Sequence, residues 1–549
     1  MFALCVVAFY DARGPITPFS FPRYDTTSIP EPELVFYAWY TLWGSLAVVA
    51  LTVLLAGLPV AEWVSRLVSR ALARAEAFVY GLAGLCLLAS VAFRRVVLLD
   101  QPVADDESTY VFIARTLLTG RLTNPLPEDP QFFTNQFIVI NAHGWHGKYP
   151  IGHPLLLALG EALGAVELIV PLIGALCVVL THRVGRRMFG DEVGLIGTGL
   201  LLLSPHFVWT CATLLSQPTA CAALLLGMLA LLRLSEAGRL RWAALAGIAF
   251  GFGVLVRPLP GTLFALVAVV FCAFDARRRG LSLAALASRV AMVAAGALPF
   301  LLAALAVNYV QSGSPFHTGY HDVHGPELMR RSAELIAWSV AGALIRESFW
   351  LLGWPLALLL AAFGRPPRAA GLLWGMVAAE LAYRVLAPKT VVSVTGPIYL
   401  TEIVPLLLLA SADAARRLGR RFVAVRPANV VLAGAITAVC LFAPLQVATL
   451  RAGAERRGMV YAELERSGAD RALVFANTLA PALPPLTWAF FPDNPSPRLD
   501  DRWLFVRVPT AKDSRARMLE LWSRRFPDRR AFLFHIDREG EPHFSELHR

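Results

Sequence analysis

The stretch "ADDESTYVFIARTLLTG", residues 104–120, places three carboxylates in a row directly after a long apolar segment and then takes on a helical pattern. Tyr110, Ile113, Ala114, Leu117 and Leu118 recur at the spacing of one apolar helix face, and Gly120 follows as a natural stop. Asp106 stands where the N-cap is expected and Glu107 in the first turn, and both suit the positive end of the helix dipole. That is the plain structural reading. A cap needs only one carboxylate, however, and Asp106 precedes Tyr110 by one helical turn, so it is expected toward the buried face. Asp105 is expected to be an exposed neighbour without a role.

Composition decides where this helix lies. The chain has 549 residues, 56% hydrophobic and 16% charged, with a mean hydropathy of +0.57. Those values exclude a soluble globular protein and indicate a polytopic membrane protein. The formal charge of +11 could suggest nucleic acid, but the basic residues recur between apolar segments instead of forming one patch, so no nucleic-acid partner is expected. Seven cysteines all sit in apolar stretches and read as packing residues rather than a disulfide framework. The opening "MFALCVVAFY" is too short to span a bilayer and lacks a basic flank, which argues against a cleaved signal peptide and is compatible with the stub of a helix.

Twelve apolar stretches have the length of a span: 35–60, 76–98, 163–181, 192–211, 217–234, 242–256, 260–275, 287–308, 349–364, 369–386, 398–412 and 429–448. Between alternate pairs lie Arg66, Arg70 and Arg74; Arg183, Arg186 and Arg187; Arg239 and Arg241; Arg277 to Arg279; Arg365 and Arg368; and Arg416, Arg417, Arg420 and Arg421. The positive-inside rule makes these loops cytoplasmic. Both termini, residues 99–162, residues 309–348 and everything after 449 then fall outside. Arg94 and Arg95 lie at an outer end against this rule and require an anionic neighbour.

The loop after the acidic helix carries turn signals, a strand-like "FIVI", and Lys148 in "GKYPIGHP" just before the next span. Fixed between Gly147 and Tyr149-Pro150 at headgroup depth, Lys148 is either a solvated anchor or a phosphate contact. Beyond residue 450, "RALVFA", "DRWLFVRV" and "RRAFLFHI" are short strand-like runs and "SRARMLELWSRRF" is helical, which predicts a small α/β domain. The chain therefore divides into 1–74 with one extra span, a transmembrane domain at 75–450, and an extracytoplasmic α/β domain at 451–549.

Taken together, "DDESTYVFIARTLLTGRL" (105–122) and "GWHGKYPIGHPLLLALG" (144–160) resemble the first outer loop of the polytopic GT-C glycosyltransferases, the group of the protein O-mannosyltransferases and the lipid A aminoarabinose transferases. The shared elements are the Asp106-Glu107 pair, Tyr110, the run Ile113-Ala114-Arg115 and the run Lys148-Tyr149-Pro150. Fainter likenesses lie in "LVRPLP" around Arg257 and in "NYVQSGSPFHTGY" (308–320), which ends on Tyr320. Two positions depart from the group. Ile398 in "GPIYLTEIVPLLLLA" stands where many relatives carry arginine or histidine, and Gln217 stands near where the aminoarabinose transferases carry a second acid.

The resemblance implies a GT-C-like helical fold of about twelve spans with outer juxtamembrane helices. It also implies transfer of a sugar from a polyprenyl-phosphate donor to a lipid, glycan or protein acceptor on the extracytoplasmic face of a bacterial-type plasma membrane. Asp106 would be the general base and Glu107 its helper. Lys148 and Arg257, with Arg115 third, would hold the donor phosphate, and Tyr110, Tyr149, His153 and Tyr320 would line the substrate. Attack opposite the leaving phosphate would invert the anomeric centre. Arg257 could equally be a snorkelling anchor, and Arg115 could pair with Glu107 or Asp106. No cofactor is required by such chemistry; a divalent metal is possible but not predicted, since His143, His146 and His153 lack the spacing of a helical ligand pair. His317, His321 and His324 would line an acceptor site or cover an outer surface. A flippase or transporter of lipid-linked glycans and a glycan polymerase or ligase are the competing readings.

Overall fold

The computed structural model describes residues 31–135, 137–325, 332–355, 357–388, 395–421, 427–477, 493–508, 513–536 and 542–548. The apolar opening at 1–10 lies outside the described residues, as does the side chain of His324. The chain is an integral, multi-pass helical membrane protein. Among the described residues eight helices have the length and apolar composition to cross a bilayer: Phe36–Ala56, Ala75–Val96, Val166–Phe189, Gln217–Ala237, Pro258–Arg278, Leu283–Ser312, Ile398–Leu418 and Asn429–Arg466.

The other four expected stretches are helical but shorter. Leu240–Val256 has 17 residues, and so has Ala370–Leu386. The stretch 192–211 is broken, because Pro205 lacks the N–H that a continuous helix needs and opens a new helix, Pro205–Thr210, after Asp191–Leu202. Ser204 caps that restart, its hydroxyl accepting from the Phe207 amide at 3.4 Å. The stretch 349–364 is divided where Ala333–Trp350 ends and a turn containing Gly353, at φ 68°, and Pro355 precedes Ala357–Ala362. Apolar composition alone could not reveal these interruptions.

The acidic stretch forms the helix Asp105–Leu118. After it, strands β1 (Ile138–Asn141) and β2 (Gly144–Gly147) pair as an antiparallel hairpin, with Ile138 opposite Gly147. β2 delivers Lys148, Tyr149 and then the helix Gly152–Ala162. Two glycines let backbone meet backbone here. A Cβ on Gly152 would lie 2.7 Å from the Leu255 carbonyl carbon, and one on Gly319 would lie 2.5 Å from the Lys148 Cα. The first contact brings residue 153 to the end of the helix preceding Arg257, and the second seats Tyr320 beside Lys148.

The C-terminal part holds β3 (Ala472–Asn477), β4 (Trp503–Arg507), β5 (Arg530–Ile536) and β6 (Pro542–Glu546) in the order β4-β3-β5-β6. β3 runs parallel to β4 and β5, and β6 is antiparallel to β5. Alternation sends Leu473, Phe475, Leu504 and Val506 to one face, where they join a core with Tyr110, Phe112 and Trp145 of the acidic-helix loop. Val474, Phe505, Phe532 and Phe534 face the other way, onto Val460 and Leu464 of the long helix Ala443–Arg466. That helix runs through position 450 without a break, so the sheet and the transmembrane part are joined by continuous structure. β6 escaped sequence reading because "PHFSE" is a mostly solvent-facing edge strand with no apolar alternation.

Adding a methyl at Gly152 should cost about 1 to 3 kcal/mol by overpacking against Leu255. The same change at Gly199, which has nothing within 4 Å of its Cβ position, should be neutral or stabilising by about 0.5 to 1 kcal/mol. Thermal melting of Gly152→Ala and Gly199→Ala in one detergent checks this, with the melting temperature expected to fall only for the first.

Candidate active site

Three successive carboxylates at the start of a helix point in three directions, and the structure gives each a different surrounding. The helix begins at Asp105 with Ala104 as its N-cap, so the expectation of Asp106 as the cap is corrected. Glu107 reaches back to cap instead: its Oε1 accepts from the amides of Val103 (2.7 Å) and Ala104 (3.3 Å). Its Oε2 accepts from the Leu214 amide at 2.7 Å, with Arg94 Nη1 at 3.8 Å. At 1% exposure, Glu107 is a buried joint between elements, its pKa raised by burial against the pull of Arg94 and the backbone amides.

Asp105 is also buried, at 3% exposure, and pairs with Arg457 of the long C-terminal helix at 3.1 Å. The expectation of an exposed neighbour is therefore corrected. Burial pushes its carboxyl up to about 7, although Arg457 opposes the shift. Arg94 finds its anionic partners in Glu107 and Asp100, and Arg95 has Glu167 at 3.9 Å. These contacts explain two arginines at an end where the topology disfavours them.

Asp106 alone of the three is partly exposed. The Tyr149 hydroxyl donates a hydrogen bond to its Oδ1. Tyr149 packs against Tyr110 at 4.6 Å between ring centres and against Phe137 and Tyr320, each at 5.8 Å. The Lys148 ammonium, 5% exposed, lies 3.4 Å over Phe137, 4.7 Å over Tyr149 and 5.6 Å over Tyr320. Tyr110 is fixed by Ser216 at 2.9 Å. His153 is fully buried: Nε2 donates to the Leu214 carbonyl at 2.8 Å and Nδ1 accepts from Thr219 at 2.9 Å. Burial pushes this imidazole down to about 4, which keeps it neutral. It therefore supports Tyr110, whose ring centre is 5.0 Å away, and offers no charge.

Arg257 enters the same region from the other side. It caps the helix Pro258–Arg278, is 8% exposed, and holds Glu402 at 3.0 Å. Its guanidinium lies 5.3 Å over Tyr399 and 5.8 Å over Tyr383. The Tyr320 phenol feels both the Asp106 carboxylate and the Arg257 guanidinium, and so does the Tyr110 phenol; burial raises the pKa of each before either charge acts. Asp106, Lys148, Arg257, Tyr110, Tyr149 and Tyr320 thus form one electrostatic neighbourhood.

Arg115 does not join it. It pairs with Glu161 at 3.1 Å and Asp501 at 3.5 Å, tying the acidic helix to the C-terminal part in place of the expected contact with Glu107 or Asp106. His317 pairs with Asp322 at 2.9 Å and stacks on His321, while His146 bonds the Gly147 carbonyl. Among the described residues no group of three or more His, Cys, Asp or Glu side chains is placed to hold a metal ion.

Residues 148–306, beginning at Lys148 and including Arg257, match the family model for dolichyl-phosphate-mannose-protein mannosyltransferases. ArnT from Cupriavidus metallidurans bound to undecaprenyl phosphate superimposes with a TM-score of 0.54 at 15% identity, covering 84% of this chain and 92% of that one. The chain shares the fold of ArnT, and its residues 148–306 are similar to the mannosyltransferase family. The same ArnT in its apo state gives a TM-score of 0.53 at 14% identity over the same shares. Mycobacterial arabinofuranosyltransferase AftD gives 0.46 at 18% identity, over 78% of this chain and 31% of that one. No curated protein matches the chain by sequence.

Within this ArnT-like fold, sequence reasoning passed over Glu380, Tyr383, Arg384, Tyr399, Glu402 and Arg457. Ile398 is buried among apolar side chains, and the charges nearby come from Glu402 one turn later and from the helix Ala370–Leu386. A signal was available. Glu380, Arg384 and Glu402 are ionisable residues inside otherwise apolar runs, and such residues mark functional or structural sites by default.

Asp105 supplies a test of the packing at this helix. Its folded-state value of about 7 lies above the ordinary 3.8, so the folded protein holds the proton that the unfolded chain releases. Its contribution to stability is full below about pH 4 and is lost as pH rises through 7. Asp105→Asn mimics the protonated form, so its melting temperature relative to wild type should rise between pH 5 and pH 8, by the equivalent of about 2 to 3 kcal/mol. Parallel pH profiles for the two proteins would refute the assignment.

Proposed function

We propose that this chain is a membrane glycosyltransferase that moves a hexosyl or pentosyl group from a polyprenyl-phosphate donor to a hydroxyl of a lipid, glycan or protein acceptor on the extracytoplasmic face. The observation that carries the reading is the division among the acids: Asp105 and Glu107 are buried in ion pairs and capping bonds, whereas Asp106 is partly exposed and bonded to Tyr149, whose ring also lies under the Lys148 ammonium. The family match and the likeness to an ArnT holding undecaprenyl phosphate support a lipid-phosphate donor.

The chemistry follows from the charges. An alcohol is a poor nucleophile, and Asp106 accepts its proton as the oxygen attacks the anomeric carbon. The bond from that carbon to the phosphate oxygen breaks, the electron pair stays with the polyprenyl phosphate, and Lys148 and Arg257 stabilise the growing negative charge. Attack opposite the departing phosphate inverts the anomeric centre. Tyr149 orients Asp106 through its hydrogen bond, with Tyr110 and Tyr320 packed around it. Glu107 holds the helix in place rather than sharing the proton, and Arg115 takes no part. The two side-chain cations supply the positive charge, so we expect transfer to survive a chelator.

Incubation of the purified protein with polyprenyl-phosphate sugars and hydroxyl acceptors tests the reading. Asp106→Asn should lower transfer by roughly 100- to 10,000-fold while the protein stays folded; near wild-type transfer would remove Asp106 from the role of base. Lys148→Met and Arg257→Met should each reduce transfer by at least about tenfold, and EDTA should have no effect. Movement of a fluorescent glycolipid between leaflets without sugar transfer would favour the flippase reading instead.

A further inference from the structure

At the membrane surface opposite the acidic helix lies an element that the proposed reaction does not use. The helix Val60–Ala73 joins two spans, Phe36–Ala56 and Ala75–Val96, and the far end of the second is the one that meets Glu107. The chain breaks at Gly57 to Pro59 and again at Arg74, so the helix is separate from both spans yet tied at each end to the surface. Successive helical residues point about 100° apart, which sorts "EWVSRLVSRALA" (62–73) into rows. Ala71, 5% exposed, packs on Val79 and Leu195, with Leu72 beside it. Trp63 and Leu67, one turn apart, are 63% and 58% exposed. Arg66 and Arg70 form the adjoining row and Arg74 follows one turn later, all three exposed.

Other arginines at this surface have acids: Arg186 has Asp191 at 2.6 Å, Arg187 has Glu236 at 3.5 Å and Arg417 has Asp413 at 2.9 Å. Arg66, Arg70 and Arg74 pair with no carboxylate among the described residues, and Arg66 reaches only the Glu62 carbonyl, at 3.4 Å. Three cations held at a membrane surface without counter-ions complement a headgroup of net negative charge; a zwitterionic headgroup brings its own cation and offers none. A Trp–Leu row bordering an arginine row places the indole at the boundary of headgroups and acyl chains and the guanidinium groups at phosphate depth. We propose that the helix Val60–Ala73 binds acidic phospholipid, with Trp63 and Leu67 seated at the acyl boundary and Arg66, Arg70 and Arg74 on the headgroup phosphates. The occupant is a lipid rather than a soluble anion because the apolar and basic rows lie side by side on a helix anchored by two spans. The site is on the other side of the membrane from Asp106 and is independent of the donor reading.

The probe lipid is phosphatidylglycerol, with phosphatidylcholine as its zwitterionic counterpart. An environment-sensitive dye is attached at Val64→Cys in the full-length protein carrying Cys5→Ser and Cys440→Ser, where the other cysteines are buried. Titrated into neutral detergent micelles, phosphatidylglycerol should give the half-maximal blue shift at a concentration at least about tenfold lower than phosphatidylcholine, and added salt should shrink the difference. The combined variant Arg66→Gln, Arg70→Gln and Arg74→Gln should lose the preference, at about fivefold per arginine, while its melting temperature in lipid-free detergent stays that of the parent. Trp63→Ser with Leu67→Ser should weaken the response to both lipids. Equal responses of the parent protein to the two lipids would overturn the proposal, as would a preference that survives in the arginine variant. Glycerophosphate that reproduces the shift would assign the arginines to a soluble phosphate, and a shift that follows protein rather than lipid concentration would assign the face to a second copy. Either result would equally refute the lipid site.

Discussion

The buried carboxylate of Glu107 is the joint on which the arrangement depends. It receives amides from the turn before its own helix and from Leu214, and it faces Arg94 at the end of the span Ala75–Val96. One side chain thereby links a membrane span, the acidic helix and the entrance to the helix Gln217–Ala237. Removing it would leave three backbone donors without an acceptor and the Arg94 guanidinium without its buried anion, which is the costly way to break a buried pair. The position of Asp106, next along the chain, follows from that fixation. The base proposed at Asp106 would have to be held within a fraction of an ångström of its proton, and its neighbour fixes the helix that carries it.

Successive helical residues point roughly 100° apart, so a row of three acids serves three different surroundings. Asp105 turns to Arg457, Glu107 to Arg94, and Asp106 to Tyr149. The C-terminal sheet is drawn into the same joint. Its inner face shares a core with Tyr110 and Trp145, and Arg115 reaches Asp501. The part that composition marks as separate is therefore packed onto the helix that carries the proposed base.

The elements that were legible in the sequence are those with strong local patterns. The apolar runs, the helix after Asp105, the strand at "FIVI" and the three strands from "RALVFA", "DRWLFVRV" and "RRAFLFHI" all reflect periodicities of two or 3.6 residues. Span lengths were less legible, because hydropathy is blind to the helix restart at Pro205 and to the turn at Gly353. The meeting of Lys148 with Tyr320 and of Gly152 with Leu255 joins residues more than a hundred positions apart, and no local pattern encodes it. The acids were recognisable as a group, but their separate fates depend on Arg457 and Leu214, which are equally remote.

A tyrosine layer reconciles the opposite charges of the site. Asp106 lies on one side of it and Arg257 on the other, with Tyr110, Tyr149, Tyr320, Tyr383 and Tyr399 between or beside them. If the carboxylate and the guanidinium met directly, they would neutralise each other, and neither could serve a reacting hydroxyl or a leaving phosphate. Aromatic rings keep them apart at modest desolvation cost, because each ring offers a negative face to a cation and a hydroxyl to an anion. Glu402, rather than Asp106, balances Arg257 at rest. That separate counter-ion leaves Asp106 tied only to a neutral donor, the phenol of Tyr149, among its described contacts. The proposed base and the proposed phosphate-binding cation can then share one small region without cancelling, which a single displacement that moves charge from hydroxyl to phosphate requires.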